Sequence, residues 1–237
     1  MNKRIILKLS GEALAGEEKA GINLDKVHEI ALEVEKLYKL GNMDLGIVVG
    51  GGNIWRGRNA SEYGIDKASA DYMGMMATIL NAIALQNALE GLGYDTRVMT
   101  SMSIPAVAEP YIRRKALNHF EKGRILIFGG GTGLPFFSTD TTAALRAAEL
   151  GATEILMAKM GVDGVYDKDP RTNQDAKRYT RLTHDEVVSK HLKVMDATAA
   201  TICNENNIDI LVFDMNAKGN IAKAYSDPTI GTLISNN

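Results

Sequence analysis

Ile125-Leu126-Ile127-Phe128-Gly129-Gly130-Gly131-Thr132-Gly133-Leu134-Pro135-Phe136-Phe137-Ser138-Thr139-Asp140-Thr141-Thr142 is the stretch on which the reading of this chain turns. The apolar run at its head has the character of a buried strand, and residues 143–150 after it read as a helix. The glycines between them let the backbone bend sharply and let a ligand come close. Ser138 to Thr142 crowd hydroxyls and a carboxylate at the helix start, where unpaired N–H groups and a partial positive charge suit phosphate. The alternative is a strand-to-helix turn with ordinary caps.

Two further strand-then-glycine junctions favour phosphate. Residues 5–9 read as a strand interrupted by Lys8 and ended by Ser10-Gly11-Glu12. A lysine in an apolar strand is costly unless its ammonium meets an anion or snorkels to water. Backbone N–H groups at Ser10 and Gly11 can flank an anion there. Residues 45–49 run into Gly50-Gly51-Gly52-Asn53-Ile54-Trp55-Arg56-Gly57-Arg58. Arg56 and Arg58 are planar two-pronged donors for phosphate oxygens, and Trp55 reads as packing rather than base stacking.

Helices are expected at 25–40, 69–92, 112–120, 185–190, 194–204 and 221–225. Further strands are expected at 96–99, 155–158, 208–213 and 232–234. The first helix takes Asn23 or Asp25 as cap and Gly41 as stop. In the 69–92 helix, Met73, Met76, Ala77, Leu80, Ala84 and Leu85 are expected to face the core, the methionines as filler. Asp71 near its start has a favourable charge–dipole contact as its plain explanation. Residues 159–170 read as an exposed loop or hairpin. There Tyr166 and Asp169 either meet adenine or ribose or only shape a turn. Residues 177–181 read as a solvated basic loop. Strands alternating with helices predict an α/β fold with a largely parallel sheet covered on both faces, a three-layer α/β/α sandwich. Ligands of such sheets bind beyond the strand C-termini, so the glycine loops converge on one crevice.

At 237 residues the chain makes one large domain or two small ones, and no repeat or linker divides it. Hydrophobic content of 45% and charged content of 24% are those of an ordinary soluble globular protein. A net charge of −2 gives no case for nucleic acid or an anionic membrane as main partner. The single cysteine, Cys203, excludes an internal disulfide and a cysteine metal cluster. Without a signal-peptide pattern or a span-length apolar run, a cytoplasmic location is expected. A P-loop needs Gly-Lys, which is absent, and Trp55 and Leu134 stand where the dinucleotide fingerprint needs Gly or Ala.

Lys8-Leu9-Ser10-Gly11, Gly50-Gly51-Gly52-Asn53 with Arg56, the 132–140 segment, Val162-Asp163-Gly164-Val165-Tyr166 and Leu192-Lys193-Val194-Met195-Asp196 occur in order and at family-like spacing. In these the chain resembles the bacterial uridylate (UMP) kinases of the amino-acid-kinase superfamily. The resemblance implies a single α/β/α domain over 1–237, ATP- and Mg²⁺-dependent conversion of UMP to UDP, a homohexamer, and activation by GTP with inhibition by UTP. It places Lys8, Leu9, Ser10, Gly11, Gly52, Arg56, Met160, Tyr166 and Asp169 at ATP. Met160 departs from the family's usual polar residue. It places Gly51, Asp71, Thr132, Gly133, Leu134, Pro135, Phe136, Phe137, Ser138 and Thr139 at UMP. Leu134 stands where the family often has asparagine, so uridine contact there is apolar or through backbone. Gly16, Glu17, Glu18, Lys19, Ala20 and Gly21 align with the segment tied to GTP activation.

The expected chemistry needs no general base, because a phosphate monoester is already ionised near neutral pH. Charge neutralisation and in-line placement remain. Lys8 follows the transferring group, and Arg56 with the glycine-loop N–H groups holds oxygens. Asp140 either orients Lys8 or water around Mg²⁺, or caps its helix; Asp196 has a similar organising role. No protein metal cluster is expected. Two other readings share the pattern: a sibling kinase with a carboxylate acceptor, and a non-catalytic nucleotide sensor.

Overall fold

The computed structural model describes residues 2–236 except Lys19, Asn42 and Lys193, and all their side chains but those of Arg58, Asn59 and Ser61. Lys19 of the 16–21 segment and Lys193 of the 192–196 motif therefore lie outside the described residues. In chain order come β1 (Lys3–Leu9), α1 (Leu24–Tyr38), β2 (Met43–Val49), α2 (Lys67–Gly91), β3 (Thr96–Thr100), β4 (Glu109–Pro110) and α3 (Arg113–Glu121). Next are β5 (Ile125–Gly129), α4 (Thr139–Leu150), β6 (Glu154–Lys159), β7 (Val165–Tyr166), β8 (Arg178–Tyr179) and β9 (Arg181–Leu182). α5 (His184–Ser189), α6 (Ala197–Glu205), β10 (Asp209–Asp214), α7 (Asn220–Ser226) and β11 (Thr232–Ile234) complete the chain.

Among the described residues the main sheet runs β4-β3-β5-β2-β1-β6-β10-β11-β9, parallel throughout except for β10 against β11. β7 and β8 form a separate antiparallel ribbon. The central strands are apolar on both faces because helices cover both. Ile5, Leu7 and Leu9 pack with Val27, Ile30 and Val34 of α1, Leu85 and Leu89 of α2, and Ile221 of α7. Ile6 and Val48 belong to the other layer, with Ala116 of α3, Ala143 and Ala147 of α4, Val187 of α5 and Ala200 of α6. Side chains alternate along a strand, so Lys8 shares the face of Ile6 and points toward the α4 layer.

Two expectations are corrected. On α2, Ala77 and Leu85 are buried, but Met73, Met76 and Leu80 are exposed. The inward face is instead Ala70, Met75, Ala77, Thr78, Ile79, Asn81, Ala82, Leu85 and Leu89. The reason is close backbone approach: a Cβ on Gly51 would stand 2.8 Å from Gly74 O and 2.9 Å from Ala77 Cβ. Gly74 and Ala77 are thus the small residues set against Gly51, while the larger Met75 and Ile79 pack beside Gly131 and Gly129. Residues 177–181, expected as a solvated loop, supply β8 and the start of β9, where Leu182 is buried against β11.

Gly11 packs directly on the next strand's loop, where an added Cβ would lie 2.3 Å from Gly50 O. That backbone atom cannot yield without moving β2. Gly11→Ala is expected to lower the unfolding free energy by about 1–3 kcal/mol, measured by urea denaturation. An unchanged midpoint would contradict this packing.

Candidate active site

β5, β2 and β1 are neighbours in the sheet, and each ends in one of the glycine loops. The loops therefore open at one rim, beyond the strand C-termini. Their backbone supplies donors: among the described residues the N–H groups of Gly11, Gly51, Gly52, Gly131 and Thr132 make no hydrogen bond. Gly130, Gly131 and Gly133 have φ of 78°, 57° and 83°, a left-handed path that glycine follows without strain. The path is held from behind. Thr78 Oγ1 accepts from Gly130 N–H at 2.8 Å, and Ser101 Oγ donates to Gly131 O at 2.8 Å. The buried Arg146 in turn donates to Ser101 Oγ at 2.7 Å.

At the start of α4, Ser138 Oγ accepts from the N–H groups of Asp140 (3.0 Å) and Thr141 (3.1 Å). Ser138 is thus the cap, and the cap alternative for Asp140 falls away. The Asp140 carboxylate instead sits between two ammonium groups, with Oδ1 2.8 Å from Lys8 Nζ and Oδ2 3.4 Å from Lys159 Nζ. The Lys8 contact is a close ion pair without an aligned hydrogen bond, and Oδ1 is buried with none from any other described group. Lys159 also donates to Val194 O at 2.8 Å.

Lys159 was not anticipated as a site residue. It has the parity of Ile155 and Met157 on β6, and the β1–β6 register sets Met157 beside Lys8. Strand alternation alone would have placed it on the α4 face; the adjacency of β1 and β6 is what brings it to Lys8. Burial pushes the Asp140 carboxyl up, but the charges of Lys8 and Lys159 outweigh this and hold it below the usual carboxylate range. Burial likewise lowers Lys159; the Asp140 charge pulls it back up, Lys8 pushes it down, and the net direction is down.

Asp196 caps α6 by accepting from Ala199 N–H at 2.8 Å, and also accepts from Thr141 Oγ1 at 2.9 Å and from Ser138 Oγ. It ties two helix starts together and, among the described residues, makes no ion pair. Arg56 is 61% exposed, with Nη2 2.7 Å from Glu12 Oε1 and Nε donating to Gly52 O at 3.1 Å. It spans the loops after β1 and β2. A cavity of about 560 Å³ opens beside them, lined by Ser10, Lys159, Met160, Tyr166, Asp169 and Leu192 among others. The Tyr166 hydroxyl donates to Asp163 Oδ1 at 2.6 Å, and Asp169 Oδ1 accepts from Arg171 N–H at 2.9 Å. On the other side, Asp71 accepts from Lys67 Nζ at 2.7 Å and from Phe136 N–H at 2.8 Å. Leu134, Phe136 and Phe137 are exposed along that loop, and the Thr132 hydroxyl closes a turn on Leu134. The arrangement is a crevice for polyanions: paired ammonium groups, a guanidinium, free N–H groups and a helix N-terminus face one rim.

Residues 3–214 match the amino acid kinase family. The chain belongs to the amino acid kinase family. Within this family, a curated relative named uridylate kinase, from Streptococcus thermophilus, is 54% identical over 99% of this chain and 95% of its own length. The crystal structure of UMP kinase from Bacillus anthracis superposes with a TM-score of 0.95 at 41% identity, covering 100% of this chain and 97% of that one. UMP kinase from Ureaplasma parvum gives 0.94 at 41% identity, covering 99% of each. An amino acid kinase fold with a mostly parallel central sheet is thus shown from both sequence and architecture.

Asp140→Asn removes the charge that raises Lys159 and leaves burial and Lys8, which lower it. The Lys159 pKa is therefore expected to fall further below its ordinary 10.5. A lysine-selective NMR titration reads this directly; an unchanged or higher value would contradict the shared-carboxylate geometry.

Proposed function

We infer that this chain is a UMP kinase, which transfers the γ-phosphoryl group of ATP to UMP and releases UDP and ADP. The observation that carries phosphoryl transfer is the Lys8–Asp140–Lys159 cluster at the rim where the glycine loops meet. Kinship with uridylate kinases over nearly the whole chain carries the acceptor. A phosphate oxygen of UMP attacks the γ phosphorus, the bond to the β-bridging oxygen breaks, and ADP leaves with that electron pair. The acceptor oxygen is already ionised, so the protein supplies position and opposing charge. Lys8 and Lys159 accompany the charge from donor to acceptor, Asp140 spaces them, and loop N–H groups hold oxygens. Asp196 organises the α4 start.

The nucleotides take opposite sides of this cluster. Lys8 to Gly11, Gly52, Arg56, Met160, Tyr166 and Asp169 face ATP beside the cavity. Gly51, Asp71 and residues 132–139 face UMP, with Leu134 offering apolar or backbone contact. The donor set fits a Mg²⁺ ion carried by the phosphates rather than by a protein cage. Among the described residues no group of three or more His, Cys, Asp or Glu is placed to hold a metal, and the Asp140 carboxylate, the acidic group beside Lys8 and Lys159, is the one protein oxygen donor at the cluster that would face such an ion. When bound, such an ion screens the β- and γ-phosphate charge.

The reading extends to one domain over 1–237, a homohexamer, GTP activation through 16–21, UTP inhibition and a cytoplasmic location. The exposed Met73, Met76 and Leu80 on α2 favour a covered face in an assembly. Gly21 is tied to the loop after β2 by its N–H to Asn53 O at 2.8 Å, which favours a route from 16–21 to the site. No helix of the described residues is long and apolar enough to cross a membrane.

Purified chain with Mg·ATP is expected to phosphorylate UMP in preference to CMP, dTMP, GMP and AMP in a coupled ADP assay, with and without GTP. Tight UMP binding with no ADP formed would favour a sensor instead. Lys8→Ala is expected to lower kcat on the order of 10²–10³-fold, the scale of one preorganised electrostatic contact. Asp71→Asn is expected to raise the UMP KM much more than that for ATP; equal effects would contradict its placement.

A further inference from the structure

A buried asparagine inside a long helix is costly unless its hydrogen-bonding capacity is used. Asn81 on α2 is 0% exposed, and all of its amide is engaged. Its nitrogen donates to Gly50 O and to Asn53 Oδ1, both at 2.7 Å, and its oxygen accepts from Asn53 Nδ2 at 3.0 Å. Asn53, 3% exposed, gives its remaining N–H to Gly21 O at 2.7 Å. The orientation of the pair is fixed by chemistry. Turning either amide over would set its oxygen against a backbone carbonyl. Neither side chain lines the nucleotide cavity, and the reaction described above uses neither.

The C=O and N–H of a trans peptide point in opposite directions. Drawing Gly50 C=O toward Asn81 therefore aims the Gly51 N–H away from α2. That N–H is one of the loop donors without a partner among the described residues. The same helix steadies the opposite loop, since Thr78 holds Gly130 N–H and Asp71 holds Phe136 N–H. Asn53 also grips the end of the 16–21 segment, through its side chain to Gly21 O and its backbone O from Gly21 N–H.

We propose that Asn81 and Asn53 are positioning residues. Their reciprocal amide pair locks the Gly50–Gly51 peptide in the orientation that presents the Gly51 N–H to phosphate, and it makes residues 16–21 and 50–53 move as one unit with α2. This rests on the loop after β2 facing phosphate in the proposed kinase. Movement of the 16–21 segment pulls on Asn53, and Asn53 passes it to the peptide through Asn81. The side chains proposed to bind substrate elsewhere keep their places, so the effect falls on the reacting geometry more than on ground-state affinity.

The test uses the full chain. Asn81→Asp keeps the shape but replaces both donated hydrogens with lone pairs. It is expected to lower kcat about tenfold or more, in line with loss of near-attack placement, while the KM for UMP and ATP changes less than about threefold. In nucleotide-free protein, amide hydrogen exchange is expected to rise together at 16–21 and 50–53. Asn53→Ser serves if Asn81→Asp does not fold. It removes the side-chain donor to Gly21 O while leaving the Gly21 N–H on Asn53 O and Asn81 on Gly50, so the 16–21 end is held by one bond instead of two and exchange is expected to rise there first. A folded Asn81→Asp protein with unaltered kcat overturns the proposal. So does faster exchange at 50–53 with 16–21 unchanged, or no change at 16–21 in Asn53→Ser. Failure of the kinase reading is separate: the unsubstituted chain would then form no ADP with UMP, and the exchange arm would still report.

Discussion

Two lysines at the ends of adjacent parallel strands share one carboxylate, and the geometry of the site follows from that arrangement. Lys8 and Lys159 are driven to the same face by strand alternation, and the β1–β6 register, which pairs Lys8 with Met157, sets Lys159 two residues further along the neighbouring strand. Two ammonium groups this close and this far from water repel each other and are poorly solvated. Asp140 makes the pair tolerable, but one negative charge between two positive ones leaves a surplus. In the proposed kinase that surplus is the attraction a polyphosphate meets on entry. A site that was neutral before binding would offer less to a transferring group whose charge is shared between donor and acceptor.

The surrounding backbone keeps this cluster at the meeting point of the loops. Gly11 and Gly51 allow contacts of main chain on main chain and main chain on helix that any side chain would block. Ser138 takes over the capping of α4, which leaves the neighbouring carboxylate unencumbered. Asp196 fastens the α6 start to the same turn. The polar groups behind the loops, Ser101 with the buried Arg146, Thr78 and Asn81, hold the loop peptides in fixed directions. Such preorganisation avoids reorientation during reaction, which is where electrostatic catalysis in water loses most of its advantage.

Much of this was legible in the chain itself. Apolar runs followed by glycines located the rim, and a lysine among apolar residues marked Lys8, because both signals are local. The partnership of Lys8 with Asp140 was one of two open readings, since a carboxylate in a first helical turn suits either a cap or an ion pair. Ser138 decides it, and only coordinates show which side chain reaches the N–H groups. Lys159 depended on which strands are neighbours, a long-range fact that spacing does not carry. The α2 faces misled for a different reason. Helical periodicity finds an apolar stripe but cannot say whether core or solvent side receives it, and the packing of Gly74 and Ala77 on Gly51 is a contact between distant segments that spacing does not carry.

Arg56 reaches across the mouth to Glu12 rather than standing alone in solvent. An incoming anion must therefore compete with a carboxylate already in place. At such an exposed position the pairing is worth only about 0–1 kcal/mol, so the exchange is shallow and reversible. A chloride or a simple monoanion gains almost nothing by replacing Glu12, whereas a triphosphate brings several oxygens and more charge to the same guanidinium. In the proposed kinase such a latch would act as a valence filter, favouring highly charged visitors at the entrance before any base or sugar is recognised.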